Sequence, residues 1–301
     1  MNGVSEKRIM IIANPKAGLG KIKASLFSVV EIFSKSGYEV TVYPTKKAKD
    51  AYNRVKDGVE GFDTLVVCGG DGTLNEVVSG VVSSGADATI GYIPAGTLNE
   101  WSSGLKISRN IETAARDIVK GNVRELDVGC FDDKYFTYTA SFGAFTEASY
   151  SAPQDVKNVI GQAAYLFEGI KSIAHIKPIS LVIEADGKII EGDFLFGAVS
   201  NSHSVGGVLK LDQNVVNLGD GFFEVLLIRK PDTLQELQQI VDGILKKEFD
   251  RKGLEFFKAS SIRVRGKKAL DWTLDGEHAV GGRETVIKNL HQRMKFIVPN
   301  R

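Results

Sequence analysis

The chain has 301 residues, 43% hydrophobic and 25% charged, with 38 Lys and Arg against 37 Asp and Glu. That length can bury two sizeable cores, and the near-zero balance lacks the basic excess of a nucleic-acid binder. Two cysteines, Cys68 and Cys130, exclude a disulfide framework and fit a reducing cytoplasm, no stretch is long enough for a membrane span, and the first residues lack a signal h-region and cleavage site.

RIMIIAN (8–14) reads as a buried strand, followed by helical spacing to about Lys35 and a second strand, YEVTVYPT (38–45). The cycle then repeats. KKAKDAYNRVKDG reads as helix, FDTLVVCGG as strand, GTLNEVVSGVVSS as helix, ATIGYIPAG as strand, and NIETAARDIVKGN as helix with a terminal glycine. Such alternation predicts an α/β domain with a parallel sheet and helices on both faces. From about Val123 the texture changes to apolar runs separated by Asp-Asp and Asp-Gly hairpin signals, as in VRELDVGCFDDKYFTYTASFGAF and PISLVIEADGKIIEGDFLFGAVSN. This half predicts a mainly antiparallel β-sandwich with helical insertions near Val156–Ile173 and Leu234–Lys247. The expected boundaries are 1–126 for the α/β nucleotide-binding domain, with 288–301 as a segment that could return to it, and 127–287 for the β-sandwich.

The loop Cys68-Gly69-Gly70-Asp71-Gly72-Thr73 joins a strand to a helix and offers bare amides at a helix N-terminus, where an anion is favoured. Asp71 there either meets a phosphate through a bridging cation or caps the helix. Alone, the loop fits a phosphate site or a tight turn equally. Two further strand ends carry similar loops, Asn14-Pro15-Lys16-Ala17-Gly18-Leu19-Gly20-Lys21 and Pro94-Ala95-Gly96-Thr97-Leu98-Asn99. In an open α/β sheet such loops gather at the carboxyl ends of the strands, where ligands bind. Neither the Walker A spacing nor GxGxxG is present, which argues against a P-loop enzyme or a Rossmann dehydrogenase.

These loops, with Gly69-Gly70-Asp71-Gly72-Thr73-Leu74-Asn75-Glu76 and a late Asp275-Gly276-Glu277, resemble the diacylglycerol kinase catalytic family over nearly the whole chain. That family includes sphingosine and ceramide kinases and soluble bacterial lipid kinases. GGDGT is shared with NAD kinases, and the specificity comes from the four motifs in this order. The resemblance implies an ATP- and Mg²⁺-dependent lipid kinase, with a NAD kinase/diacylglycerol kinase-like α/β domain and a β-sandwich, acting from the cytoplasm on a lipid at the membrane surface. A homodimer is a possible assembly. By resemblance, ATP contacts fall on Asn14, Pro15, Lys16, Ala17, Gly18, Thr45, Gly69, Gly70, Asp71, Gly72, Thr73, Leu74, Asn75, Glu76 and Thr97. Asp71 and Asp127 belong to the Mg²⁺ network, Glu277 is the general base, and Asp275 supports the same network.

Two features depart from the pattern or need comment. The family usually has Asp where this chain has Glu100, and the extra methylene moves a carboxylate by about 1.5 Å, enough to matter in catalysis. A structural metal site of some bacterial members, formed partly by an aspartate and neighbouring backbone carbonyls, would fall by resemblance on Asn217, Asp220 and Phe222, although a Gly219-Asp220-Gly221 turn needs no metal to form. The expected acceptor is diacylglycerol. The alternatives are a NAD kinase-like enzyme, or a catalytically weak lipid- or nucleotide-binding sensor of the same fold, which Glu100 favours. Elsewhere plainer roles are expected: scattered histidines, RVRGKK (263–268) as a solvated hairpin edge, and the aromatics of residues 141–170 as core or as an acyl-pocket lining.

Overall fold

In the computed structural model the residues described are 7–97, 99–143, 177–205, 209–211 and 216–300. The expected insertion near Val156–Ile173 and most of the acyl-pocket candidates lie outside them. The chain forms two compact units, Met1–Val128 with Gln292–Arg301, and Gly129–His291.

The first unit alternates strand and helix. Its strands are β1 (Lys7–Ala13), β2 (Tyr38–Pro44), β3 (Thr64–Gly69) and β4 (Thr89–Pro94), and its helices are α1 (Lys21–Lys35), α2 (Asp50–Lys56), α3 (Asp71–Ser84), α4 (Glu100–Gly104) and α5 (Ile111–Lys120). The strands are parallel in the order β4-β3-β1-β2. β3 is buried at every residue because helices cover both faces of a parallel sheet, which is why TLVVCG is a continuous apolar run rather than an alternating one. β2, at the margin, is only partly buried. The α5 start is set locally: the Asn110 side chain accepts the Thr113 amide at 2.9 Å, satisfying a first-turn donor.

The second unit is antiparallel. The chain reaches it along β5 (Asn122–Phe131) and continues through β6 (Lys134–Phe136), β7 (Thr139–Gly143), β8 (Ile179–Ala185), β9 (Lys188–Ser200), β10 (Ser204–Val205), β11 (Leu209–Lys210) and β12 (Phe223–Arg229). After α6 (Leu234–Lys246) come β13 (Leu254–Ala259), β14 (Ser261–Gly266), β15 (Asp271–Leu274), β16 (Glu277–Val280) and β17 (Glu284–Val298). The last part of β17 belongs to the first unit, where Lys295 and Phe296 pair in parallel with Thr89 and Ile90 of β4. β9 organises the sandwich: its first half pairs with β8, and its second half lies between β7 and β12. Phe131, Phe142 and Trp272 meet in the core with ring centroids 4.9 and 5.1 Å apart in edge contacts, a favoured aromatic geometry.

RVRGKK is not an edge. β14 is paired on one side with β8 and on the other with β17. Its outward Arg263 and Arg265 meet Glu284 at 3.1 and 2.8 Å, and Arg265 reaches Glu184 at 3.5 Å. The basic run is therefore a cross-strand charge ladder, which the composition of one strand could not reveal.

Candidate active site

β4, β3 and β1 are neighbours, so the loops leaving their carboxyl ends are neighbours too, and backbone bonds join them. The Asn14 amide donates to the Cys68 carbonyl at 2.8 Å, the Ala95 amide to the Gly69 carbonyl at 2.8 Å, and the Thr45 amide to the Ala13 carbonyl at 2.8 Å. The Asn14 side chain reaches the Thr73 hydroxyl at 3.3 Å. Glycine is required where the loops touch. A Cβ on Gly18, whose φ is +55°, would lie 2.1 Å from the Ala95 carbonyl oxygen, and one on Gly96 would lie 2.5 Å from the Gly70 Cα. α3 begins at this junction with no side-chain cap, and the first amides of a helix have no intrahelical acceptor. The result is a backbone-lined floor suited to an anion.

Asp71 opens α3, and its carboxylate joins two loops. Oδ2 accepts the Glu100 amide at 3.0 Å, and Oδ1 lies 3.5 Å from the Tyr92 hydroxyl. That hydroxyl also reaches Asn99 Oδ1 at 3.2 Å, and Asn99 folds back on Gly96, accepting its amide at 2.9 Å and donating to its carbonyl at 2.6 Å. Asn99 holds a left-handed φ of 50°, a conformation asparagine tolerates. Burial, then the charge of Asp71, pushes the Tyr92 phenol well above its ordinary range, so it stays a hydrogen donor. Tyr92 was not among the expected site residues. The available signal was a phenol inside the apolar run ATIGYIP, where burial demands a partner.

Not every expected contact residue presents its side chain. Leu74 is wholly buried, so only its backbone is available. The Glu76 carboxylate accepts the Lys49 amide at 2.8 Å and the Ala51 amide at 3.1 Å, capping α2 and fixing the segment after Thr45. Lys16 and Thr97 are exposed, and the Lys16 amide is turned in by Asn14 Oδ1 at 3.0 Å. Asp127 on β5 is fully buried and accepts the Gln292 amide at 2.7 Å. Among the described residues no three His, Cys, Asp or Glu side chains gather into a metal cage. A carboxylate beside a phosphate floor does fit Mg²⁺, which takes few protein ligands and many from nucleotide phosphates and water.

In the second unit Asp275-Gly276 is the two-residue turn between β15 and β16, with φ of 50° and 84° as a type I′ hairpin demands. The Asp275 carboxylate is buried. One oxygen accepts the Thr137 amide at 2.6 Å and the Thr137 hydroxyl at 2.8 Å, and the other accepts the Tyr138 and Thr139 amides at 2.9 and 3.0 Å. Burial pushes this carboxyl above its ordinary range, and the hydrogen bonds pull against it without overcoming it. A carboxylate so engaged fixes the turn rather than touching a substrate, which corrects the expected catalytic role of Asp275 to a positioning one. Glu277, the first residue of β16, is exposed. His278, next in sequence, projects to the opposite face, where it meets Asp271 at 3.1 Å.

The turn at Asn217, Asp220 and Phe222 does not fit the expected structural metal. Asp220 Oδ1 accepts the Phe222 amide at 3.1 Å, Asn217 Oδ1 accepts the Gly219 amide at 3.3 Å, and Asp220 Oδ2 is 2.8 Å from the Lys258 ammonium. Both Asp220 oxygens and the Asn217 amide oxygen are thus engaged within the protein.

Family comparison agrees with this geometry. Residues 8–131 match the model of the diacylglycerol kinase catalytic domain, and residues 140–289 match that of the YegS C-terminal NAD kinase beta sandwich-like domain. The chain is 31% identical over 295 residues to a diacylglycerol kinase of Bacillus subtilis, covering 97% of both chains. It is 31% identical over 296 residues to one of Staphylococcus aureus, covering 98% of this chain and 93% of the relative. A crystal structure of a diacylglycerol kinase from Bacillus anthracis is 25% identical and superposes with a TM-score of 0.79, covering 98% of this chain and 97% of that one.

Proposed function

The chain belongs to the diacylglycerol kinase family, and from that premise we propose that it transfers the γ-phosphoryl group of ATP to the hydroxyl of a membrane lipid, with diacylglycerol as the acceptor and phosphatidic acid as the product. The observation that carries the proposal is the meeting of three glycine loops at neighbouring strand ends, close enough that a Cβ at Gly18 or Gly96 would strike backbone. Phosphoryl transfer asks the protein mainly for positioning and charge neutralisation, and a floor of backbone amides supplies both. No helix among the described residues is long and apolar enough to cross a membrane, so the acceptor is proposed to be met at the membrane surface from the cytoplasm.

In this reading the loops of residues 14–18, 69–76 and 96–97 hold the nucleotide phosphates, and the charge of Lys16 adds to the amides. Mg²⁺, when bound, would supply neutralisation of the charge that develops on the phosphates. Asp71 is the residue proposed to hold it, with one oxygen held by the Glu100 amide and the other 3.5 Å from the Tyr92 hydroxyl. Because the bond from Glu100 comes from its backbone, it survives whichever acidic side chain occupies that position. Glu277 accepts the proton of the lipid hydroxyl as its oxygen attacks the γ-phosphorus. The bond from that phosphorus to the bridging oxygen breaks, and ADP leaves with the electron pair.

The test is incubation of the protein with Mg²⁺ and γ-labelled ATP, in parallel with diacylglycerol micelles, sphingosine and NAD. Label in phosphatidic acid is expected, and Glu277→Ala should abolish it while leaving ATP binding nearly intact. Label in NADP would replace the acceptor assignment, and ATP binding without any labelled product would favour the sensor reading that Glu100 motivates.

A further inference from the structure

Two acids and one base meet where the Asn217–Phe222 turn enters the sandwich. Glu224 on β12 and Lys258 on β13 are direct cross-strand partners. The Lys258 ammonium is 2.8 Å from Asp220 Oδ2 and 3.3 Å from Glu224 Oε1. Glu224 is 1% exposed, and among the described residues the Lys258 ammonium is its charge partner. A buried carboxylate beside a second one calls for a compensating cation.

We propose that Lys258 is that cation: its ammonium stands in for a divalent ion at the Asn217–Phe222 turn, so that this unit folds without metal there and the carboxylates become a metal site only when Lys258 is removed. The geometry excludes simultaneous occupancy, because an ion held by Asp220 Oδ2 would need the space within hydrogen-bond distance that the ammonium fills. The electrostatics agree. Burial works to discharge Lys258, but the hydrogen bond to Asp220 and the charge of Glu224 outweigh it and hold its pKa above the ordinary lysine range. The position also has reach. Thr139, Ser200, Glu224 and Lys258 are successive cross-strand partners on β7, β9, β12 and β13, so their side chains line one face in one row. Thr139 and Ser200 touch at 3.2 Å, and the Thr139 amide holds Asp275. The ammonium therefore closes a polar row that begins at the turn carrying Glu277. None of this depends on the kinase reading.

The test uses the full chain with Asp71→Asn, which keeps the phosphate loops from contributing metal affinity. Calorimetric titration with MnCl₂ and with CaCl₂, without nucleotide, should give no binding isotherm, and melting in EDTA and in MgCl₂ should coincide. Adding Lys258→Ala should lower the melting temperature in EDTA by on the order of 5 °C, with Ca²⁺ or Mg²⁺ restoring it unless Asp220→Asn is also present. An Mn²⁺ isotherm in the Lys258 protein that Asp220→Asn abolishes would overturn the proposal. So would a Lys258→Ala protein that melts in EDTA like its parent. If Lys258→Ala does not fold, the titration of the Lys258 protein decides.

Discussion

Gly96→Ala is the sharpest probe of the loop junction. The new Cβ would lie 2.5 Å from the Gly70 Cα and 2.8 Å from Asn99 Oδ1, whereas carbon atoms pack at about 3.5–4.0 Å. Gly70 is backbone and cannot rotate away, and Asn99 is held by the amide and carbonyl of Gly96 itself. The second and third loops must therefore part by about 1 Å, a displacement that can lower a phosphoryl-transfer rate by about 10²-fold. Stability should fall by about 1–3 kcal/mol, as overpacking does. The assay is ATP affinity by calorimetry, single-turnover rate with diacylglycerol, and a urea melt. Gly37→Ala is the control: its φ of +85° imposes backbone strain, but nothing among the described residues lies within 4 Å of the added Cβ. It should cost stability and leave ATP affinity alone. Wild-type ATP affinity and turnover in Gly96→Ala would refute the contact between loops as the basis of the site.

Two other predictions concern the second unit. Asp275→Asn keeps the shape of the side chain but turns an amide toward donors: whichever way it is set, at least one of the Thr137, Tyr138 or Thr139 amides loses its acceptor. A loss of about 2 kcal/mol in a urea melt is expected, with turnover falling further than stability because the turn carrying Glu277 loosens; a drop in stability alone would remove the positioning role. Glu224 gives a pH dependence. Burial pushes its carboxyl up to about 7 from an ordinary 4.5, so the folded protein binds the proton more tightly than the unfolded chain between those values. Stability contributed by the protonated acid is present at low pH and is lost as pH rises toward 7. Between pH 5 and pH 8 this loss amounts to roughly 2–3 kcal/mol, and Glu224→Gln should abolish it in urea melts across that range. Parallel pH profiles for the two proteins would show that Glu224 does not titrate as its burial demands.

Much of this protein is legible along the chain because the governing physics is local. Runs such as RIMIIA and TLVVCG announce strands covered on both faces, and Asp186-Gly187 and Asp275-Gly276 announce hairpins because few residues accept a positive φ. The glycine loops, their order and the DGE motif pointed to a phosphate floor and a family, and the matches bear out the family and the α/β-plus-sandwich architecture. What stayed hidden depends on strand order and register. The margin assigned to RVRGKK became an interior strand once β8 and β17 flanked it. Glu76 was expected at the nucleotide, yet its carboxylate caps a helix that lies 25 residues earlier. Tyr92 meets Asp71 from 21 residues away, and Lys258 meets Asp220 from 38. Backbone conformation is chosen by neighbours within a turn or two, so sequence determined the elements, the glycine positions and the hairpins. The partner of a charge or a phenol is chosen by whichever strands pair beside it, and that only the tertiary structure decided.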